Sequence, residues 1–360
     1  MYSIVHPKNT AQYTNMKANL IKTGHVIGGK DVYAVELINN HGTYVKIYNY
    51  GAIISNFIVV NAHGEKQDIV LGFDDLEGYL TDDYLLKYPY LGAVIGRYAN
   101  RIKGGQFTID GKAYQVTDDR GKDSLHGGNV GFDKVVWDIL PTIDPSLTLQ
   151  YVSPAGDQGF PGNLTIQLTF KLTDDNELIL DFKAHTDEAT AINLTHHGYF
   201  NLAPKGGSVA KHVHHMPASY YLEQDDNFVV TGNLIPVQGT PHNFLGAKEI
   251  GADWNAQTGY DQTYVLDKDA GELTLASETW EETSGLKLSV YTTEPVAHFY
   301  TAISLEVKDG KDGLHYGPAE AFCVETQHHP NGINIPEFPS TTLRPGETYK
   351  QTTIYKVEHR

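Results

Sequence analysis

A large antiparallel β-sandwich is the fold class that this sequence predicts, on three observations. Apolar residues recur at every second position over long runs, the period of a half-buried strand. Paired runs are separated by turn residues of the kind that close hairpins. No amphipathic stretch longer than about three helical turns interrupts them.

In chain order, strand-like runs occupy 31–38, 44–50 and 53–60. The runs 106–109 and 112–116 flank Asp110-Gly111, a two-residue hairpin signal, because both turn positions need positive φ. Another run spans 147–153. In LTIQLTFKL, Leu164, Ile166, Leu168, Phe170 and Leu172 share one face, while Thr165, Gln167, Thr169 and Lys171 share the other. After Asp174, Asp175 and Asn176, the next run sets Leu178, Leu180, Phe182 and Ala184 on one face, so the two runs predict a hairpin. Runs at 272–277, 286–292 and 348–356 complete the set. No linker composition, low-complexity tract or fixed-period repeat divides the chain. The expectation is one domain over 1–360, with 1–30 as a partly irregular N-terminal extension. Such sandwiches bind ligands on a concave sheet face or at strand ends.

The 360 residues carry 27 Lys and Arg against 44 Asp and Glu, a formal net charge of −17. That balance argues against nucleic acid and against anionic membrane surfaces. No apolar run approaches a membrane span, and the first residues show no apolar leader segment. Cys323 is the single cysteine, which excludes an intrachain disulfide and a multi-cysteine metal site. The expectation is a reduced, cytoplasmic protein. Tyr is abundant, 23 against 3 Trp, and its apolar face with a polar tip suits sugars as well as sheets.

Histidine carries the chemical signal, with 17 copies. His126 sits in SLHGG, where Gly127 and Gly128 allow close backbone approach to a ligand, or simply make a loop. In NLTHHGYFNL, His196 and His197 are strand neighbours and point to opposite sides, so only one can enter a given pocket. His212 and His214 share a strand face with metal-ligand spacing, but no acidic ligand follows until Glu223, and a polar strand face is the favoured reading. In CVETQHHPNGIN, Glu325 lies among apolar residues at a strand end, as a candidate general base or as a carboxylate paired with a buried Arg. Arg97, Asn100 and Arg101 in GRYANRI either bind a ligand or anchor a carboxylate. Asp261 between Tyr260 and Tyr264 suits a sugar, with rings on its C–H face and the carboxylate on its hydroxyls. No phosphate-cradling loop, nucleophile elbow or HExxH helix is found. His, carboxylate, Arg, Asn and Tyr together suit proton transfer on a neutral polyhydroxylated substrate, without metal, nucleotide or other cofactor.

These motifs resemble the aldose 1-epimerase family, the galactose mutarotases. The runs LGAVIGRYANRIKGGQFTIDGKAYQV, SLHGGNVGFDKVVW, DQGFPGNL, NLTHHGYFNL, GYDQTYVL, CVETQHHPNGIN and LRPGETY occur in the family's order, from about Val32 to Tyr355. The resemblance implies a galactose-mutarotase-like supersandwich and interconversion of the α and β anomers of free galactose- or glucose-type aldoses. It implies Glu325 as general base, His197 rather than His196 as general acid, and Asn100, Arg101, His126 and Asp261 as sugar-binding residues. The chain departs from the family pattern at His196 (usually Asn), Gly198 (Ser or Thr), His298 (often Gln) and Ala302-Ile303 (Gly-Asn). His298 is expected to read sugar hydroxyls.

Ring opening needs one proton taken from the anomeric hydroxyl and one given to the ring oxygen. Glu325 and His197 suit those roles, with a nearby Glu325 carboxylate expected to favour protonated His197. Four rivals stand beside this reading. A non-catalytic sugar-binding protein would lack an acid or a base, and both are present. An epimerase for a phosphorylated sugar would need clustered cations, and only Arg97 and Arg101 lie near the motifs. A disaccharide mutarotase stays open. A hydrolase built on Glu325 and Asp261 leaves His197 without a role. The expected partner is a small aldose, and the chain a monomer or homodimer.

Overall fold

The computed structural model describes residues 17–118, 121–142 and 146–360. Among the described residues, three large antiparallel sheets make the body of the fold, with four two-stranded pairs beside them. The largest has nine strands in the spatial order Asp138–Leu140, Ser146–Ser153, Leu164–Leu172, Glu177–Thr186, Tyr349–His359, Leu286–Thr292, Thr274–Glu281, Val213–His215 and Lys248–Glu249. The expected hairpin lies at its centre, with Leu172 opposite Leu178 and Leu164 opposite Thr186. A five-stranded meander runs in sequence order through Lys17–Ile27, Lys30–Ile38, Tyr44–Tyr48, Ile54–Val60 and Lys66–Asp68. Part of the segment read as an extension is therefore an edge strand, and 1–16 lie outside the described residues. The third sheet orders Val230–Pro236, Tyr220–Gln224, Asp261–Val265, Val296–Tyr300 and Cys323–Gln327.

Alternation joins the sheets. Ile47 and Val45 from the meander, Ile166, Leu168 and Phe170 from the large sheet, and Tyr264, Phe299 and Val324 from the third enter one buried cluster. Each fully buried side chain of this kind contributes about 1.5–3 kcal/mol by leaving water. The opposite face of the third sheet must then carry Asp261, Thr263, His298, Tyr300, Cys323 and Glu325, since strand side chains alternate. A second buried cluster, rich in Tyr48, Tyr79, Tyr84, Tyr88, Tyr90 and Tyr199, packs on that side.

Between Gln106–Ile109 and Lys112–Gln115, Asp110 and Gly111 have φ of 52° and 79°, as a two-residue hairpin turn requires. Among the described residues the single α-helix is Asp82–Lys87. Thr81 caps it by accepting the Tyr84 N–H, and Tyr88 ends it in the left-handed region at φ 36°. That exit delivers Tyr88, Pro89 and Tyr90 to the exposed end of the Tyr-rich cluster. No described helix is long and apolar enough to cross a membrane.

Candidate active site

A cavity of about 190 Å³ opens at this face of the third sheet. All seven residues singled out in the sequence line it: Asn100, Arg101, His126, His197, Asp261, His298 and Glu325. Three adjacent strands supply three of them in register. Thr263 pairs with His298, and His298 with Glu325, while Asp261 sits two residues from Thr263 on the same face.

The segment 92–101 and the His126 turn supply others. Strand Arg101–Ile102 pairs with Ser124–Leu125, and each is bounded by a left-handed residue, Asn100 at φ 59° and His126 at φ 53°. The two residues clasp each other. The Asn100 N–H donates to His126 Nδ1 at 3.1 Å, and the His126 N–H donates to the Asn100 carbonyl at 3.0 Å. Asn100 turns its own carboxamide oxygen back to the Arg101 N–H at 2.8 Å, the local bond that lets Asn adopt this conformation. A backbone N–H can only donate, so His126 Nδ1 holds a lone pair and the neutral ring carries its proton on Nε2. The donor atoms of His126, His197 and Glu325 lie within 4.8 Å of one another. A metal-bound His donates from its other nitrogen, whereas His126 accepts there, so this trio suits a hydrogen-bond donor beside an acid–base pair better than a cation.

The glycines after His126 serve the backbone rather than a ligand. A Cβ on Gly127 would lie 2.1 Å from the Gly96 carbonyl, and one on Gly128 would lie 2.6 Å from the Thr117 carbonyl. The close approach expected from SLHGG is real, but its partner is the chain itself.

His196 and His197 part as strand neighbours must. His196 turns into the core, bonded to the Tyr355 hydroxyl at 3.2 Å and the Gly92 carbonyl at 2.9 Å. His197 faces the cavity with Nε2 3.5 Å from Glu325 Oε1. Its ring lies between the faces of Tyr90, at 5.9 Å, and Tyr199, at 5.0 Å. Tyr300 meets it edge-on at 6.5 Å. Tyr199 is fixed in turn by donating to the Pro89 carbonyl at 2.7 Å. These tyrosines were not picked out in the sequence, where 23 Tyr gave no means of choosing.

Burial dominates the electrostatics. It raises Glu325 to about 7, opposed by His298 and Arg101, while Asp261 adds to it. It lowers His197 to about 3, helped by His298 and His196. The expectation that Glu325 would keep His197 protonated is therefore reversed: desolvation of the imidazolium outweighs the attraction. Glu325 Oε2 and His197 Nδ1 are both buried without a hydrogen-bond partner among the described residues. Among the described residues no arginine forms an ion pair with Glu325. The Arg101 guanidinium stacks over Phe228 at 5.3 Å and lines the cavity.

His298 differs from expectation too. Nε2 bonds Asp261 Oδ1 at 2.8 Å, and Nδ1 bonds Thr263 Oγ1 at 2.8 Å. Both ring nitrogens are engaged within the protein, which leaves none for a sugar hydroxyl. Burial pulls His298 down, yet the Asp261 bond and charge bring it above its ordinary value. Asp261 is raised by burial and lowered more by His298 and Arg101, so it is held below the usual range.

The His212 and His214 pair makes no polar strand face. Both are buried, with the Leu202 N–H donating to His212 Nε2 at 2.9 Å. His214 bonds Thr279 Oγ1 at 2.8 Å and stacks on Phe299 at 4.2 Å.

Comparison with known proteins places the whole chain. Residues 33–356 match the sequence profile of the family described as Aldose 1-epimerase. Galactose mutarotase of Rattus norvegicus is 40% identical over 316 residues, covering 87% of this chain and 90% of that protein. Aldose 1-epimerase of Escherichia coli (strain K12) is 32% identical over 336 residues, covering 91% and 96%. The crystal structure of a GalM/aldose epimerase homologue from C. elegans superposes with a TM-score of 0.83 at 30% identity, covering 95% of this chain and 99% of that one. From the profile match and these identities over nearly the full length, the chain belongs to the aldose 1-epimerase family, the isomerases that interconvert the α and β anomers of aldoses.

Proposed function

We propose that the substrate is a free aldose of the galactose or glucose type, with Glu325 and His197 exchanging protons with its C1 hydroxyl and ring oxygen. The observation that carries this is a buried carboxylate and imidazole 3.5 Å apart, each with an unsatisfied polar atom, at the floor of a cavity ringed by sugar-compatible groups. At about 190 Å³ the cavity is smaller than the roughly 300–1,000 Å³ of drug-sized sites, which favours one sugar ring over two. The acting unit is the single domain, in a reducing, cytoplasmic setting.

Glu325 takes the proton of the C1 hydroxyl while His197 gives one to the ring oxygen. The C1–O5 bond breaks and C1 becomes an aldehyde carbon. Rotation about C1–C2 presents the other carbonyl face, and the two groups run in reverse to close the ring. His126 donates from Nε2, Arg101 from its guanidinium, and Asn100 and Asp261 hold hydroxyls, so the open chain keeps its register. The faces of Tyr90 and Tyr199 favour the imidazolium when it forms. A polarimetric time course of freshly dissolved α-galactose and α-glucose tests the proposal. Acceleration of both toward equilibrium is expected, and no acceleration of any free aldose would refute it.

The pair works with one shared proton. Below about 3 both groups are protonated and no base remains; above about 7 both are deprotonated and no acid remains; between the two the single proton rests mainly on Glu325, and the reacting form is the tautomer that carries it on His197. A bell-shaped profile of kcat/KM is expected, with an alkaline limb near neutrality. A rate that stays flat from pH 6 to about 9 would contradict the shared proton.

A further inference from the structure

We propose that His298 acts as a buried cation that sets the pH range over which the Glu325–His197 pair works, as a positioning residue that touches no substrate. The inference rests on the acid–base reading of that pair. It starts from partners. A carboxylate accepts at one ring nitrogen of His298, and a threonine hydroxyl able to accept stands at the other, both at 2.8 Å. The ring is 3% exposed, so water screens it little.

Register then fixes what this charge acts on. His298 is directly opposite Glu325 on the neighbouring strand, and both side chains face the cavity. Cross-strand neighbours of this kind have Cβ atoms about 4.5–5.5 Å apart. The charged and titratable groups around His298 are Asp261 on one flanking strand and Glu325 with Cys323 on the other. Tyr300 lies on its own strand, and His197, Tyr199 and Arg101 lie across the cavity. Asp261 is the anion that retains the proton on His298. Arg101 is a second cation, exposed enough to be screened in part. A positive charge at 298 lowers the affinity of both Glu325 and His197 for protons. It therefore moves both edges of the one-proton window the same way, toward lower pH.

A ring that merely packed would leave those edges in place. A ring that read sugar hydroxyls would change KM for one epimer against the other. The arrangement here predicts neither. The replacement His298→Gln keeps a hydrogen-bonding side chain and deletes the charge, leaving Asp261 uncompensated beside Glu325.

The experiment is the pH dependence of kcat/KM for galactose in the unmodified protein and in His298→Gln. Both limbs are expected to move to higher pH by about one to three units, the range for an opposite charge within 4–6 Å. The galactose-to-glucose ratio of KM should stay within about twofold, less than one hydrogen bond's worth. Limbs that stay within a few tenths of a unit, or a KM ratio that changes alone, overturn the proposal. Ring ¹⁵N shifts of His298 in the unmodified protein read the charge directly, even if the variant does not fold. Two protonated nitrogens at pH 7 are expected, and a neutral tautomer overturns the proposal. Retention of full activity by Glu325→Gln would instead sink the acid–base reading, while the ¹⁵N result would still report on His298.

Discussion

Glu325→Gln is expected to lower the anomerisation rate by about 10²-fold or more, the scale of losing positioned acid–base help. The substitution keeps the shape of the side chain and removes only its ability to take a proton. Glu325 is 1% exposed, and its Oε2 has no partner to lose, so the fold should tolerate the change. His197→Asn is expected to cost a similar factor. The double variant should be little slower than either single one, because the two groups act on one proton inventory. His196→Asn is the internal control. It removes bonds to Tyr355 and Gly92 from the core, so it should cost about 1–3 kcal/mol of stability while kcat changes a few-fold at most. Polarimetry on α-galactose, paired with urea unfolding, checks all four variants. Glu325→Gln with more than about a tenth of the original rate would remove Glu325 from the chemistry.

That contrast between two adjacent histidines was legible from strand periodicity alone, because alternation is a backbone property. The hairpin at Leu172 and Leu178 was legible for the same reason. What decides a site is the third dimension, and there local pattern stops being informative at identifiable places. Tyr90, Tyr199 and Tyr300 surround His197 from three separate segments, and nothing local distinguishes them from the tyrosines packed behind them. His298 was recognisable as a cavity residue but not as one with both nitrogens occupied, since Thr263 and Asp261 reach it across a strand pair. The protonation of His197 and Glu325 is not legible from their proximity, because burial outweighs it at both groups. A carboxylate at 3.5 Å attracts an imidazolium, yet neither charge has water around it. At Gly127 and Gly128 the sequence leaves a ligand approach and a plain loop both open, and carbonyls of the chain itself fill the space a side chain would take.

Arg97 and Arg101 are the sharpest case, four residues apart with opposite duties, and Arg97→Met should have the largest effect on stability of any substitution considered. Arg97 is 2% exposed. Its Nη1 donates to the carbonyls of Pro161 at 2.7 Å and Gly162 at 3.1 Å, and to Thr190 Oγ1 at 3.1 Å. Its Nη2 donates to Ser153, through carbonyl and hydroxyl, and to the Pro154 carbonyl at 3.2 Å. One guanidinium thus ties the segment 153–162 to the segment carrying the Asn100 turn. Burial lowers Arg97 to about 10, against the pull of Asp157, so it remains charged at neutral pH. The Ser153 hydroxyl relays that pull by donating to Asp157 Oδ2. Methionine fills much of the volume but strands these acceptors without donors. Hydrogen bonds to a charged group contribute about 1.5–3 kcal/mol each, with strong overlap, so a loss of about 4 kcal/mol or more is expected. Arg97→Lys should recover only part, because a single ammonium cannot reach both sets of carbonyls. Arg97 does not line the cavity, so protein that remains folded should keep kcat within a few-fold. Urea denaturation followed by intrinsic fluorescence measures the first effect and polarimetry below the unfolding transition the second. A midpoint within about 1 kcal/mol of the original would mean that water or backbone rearrangement satisfies these carbonyls without the guanidinium. In that case the clamp would have to be sought elsewhere, in the Thr117 N–H to Gln158 carbonyl bond at 2.8 Å, which links the same loop to Thr117, whose carbonyl accepts the Asn129 N–H at 3.2 Å just after the His126 turn.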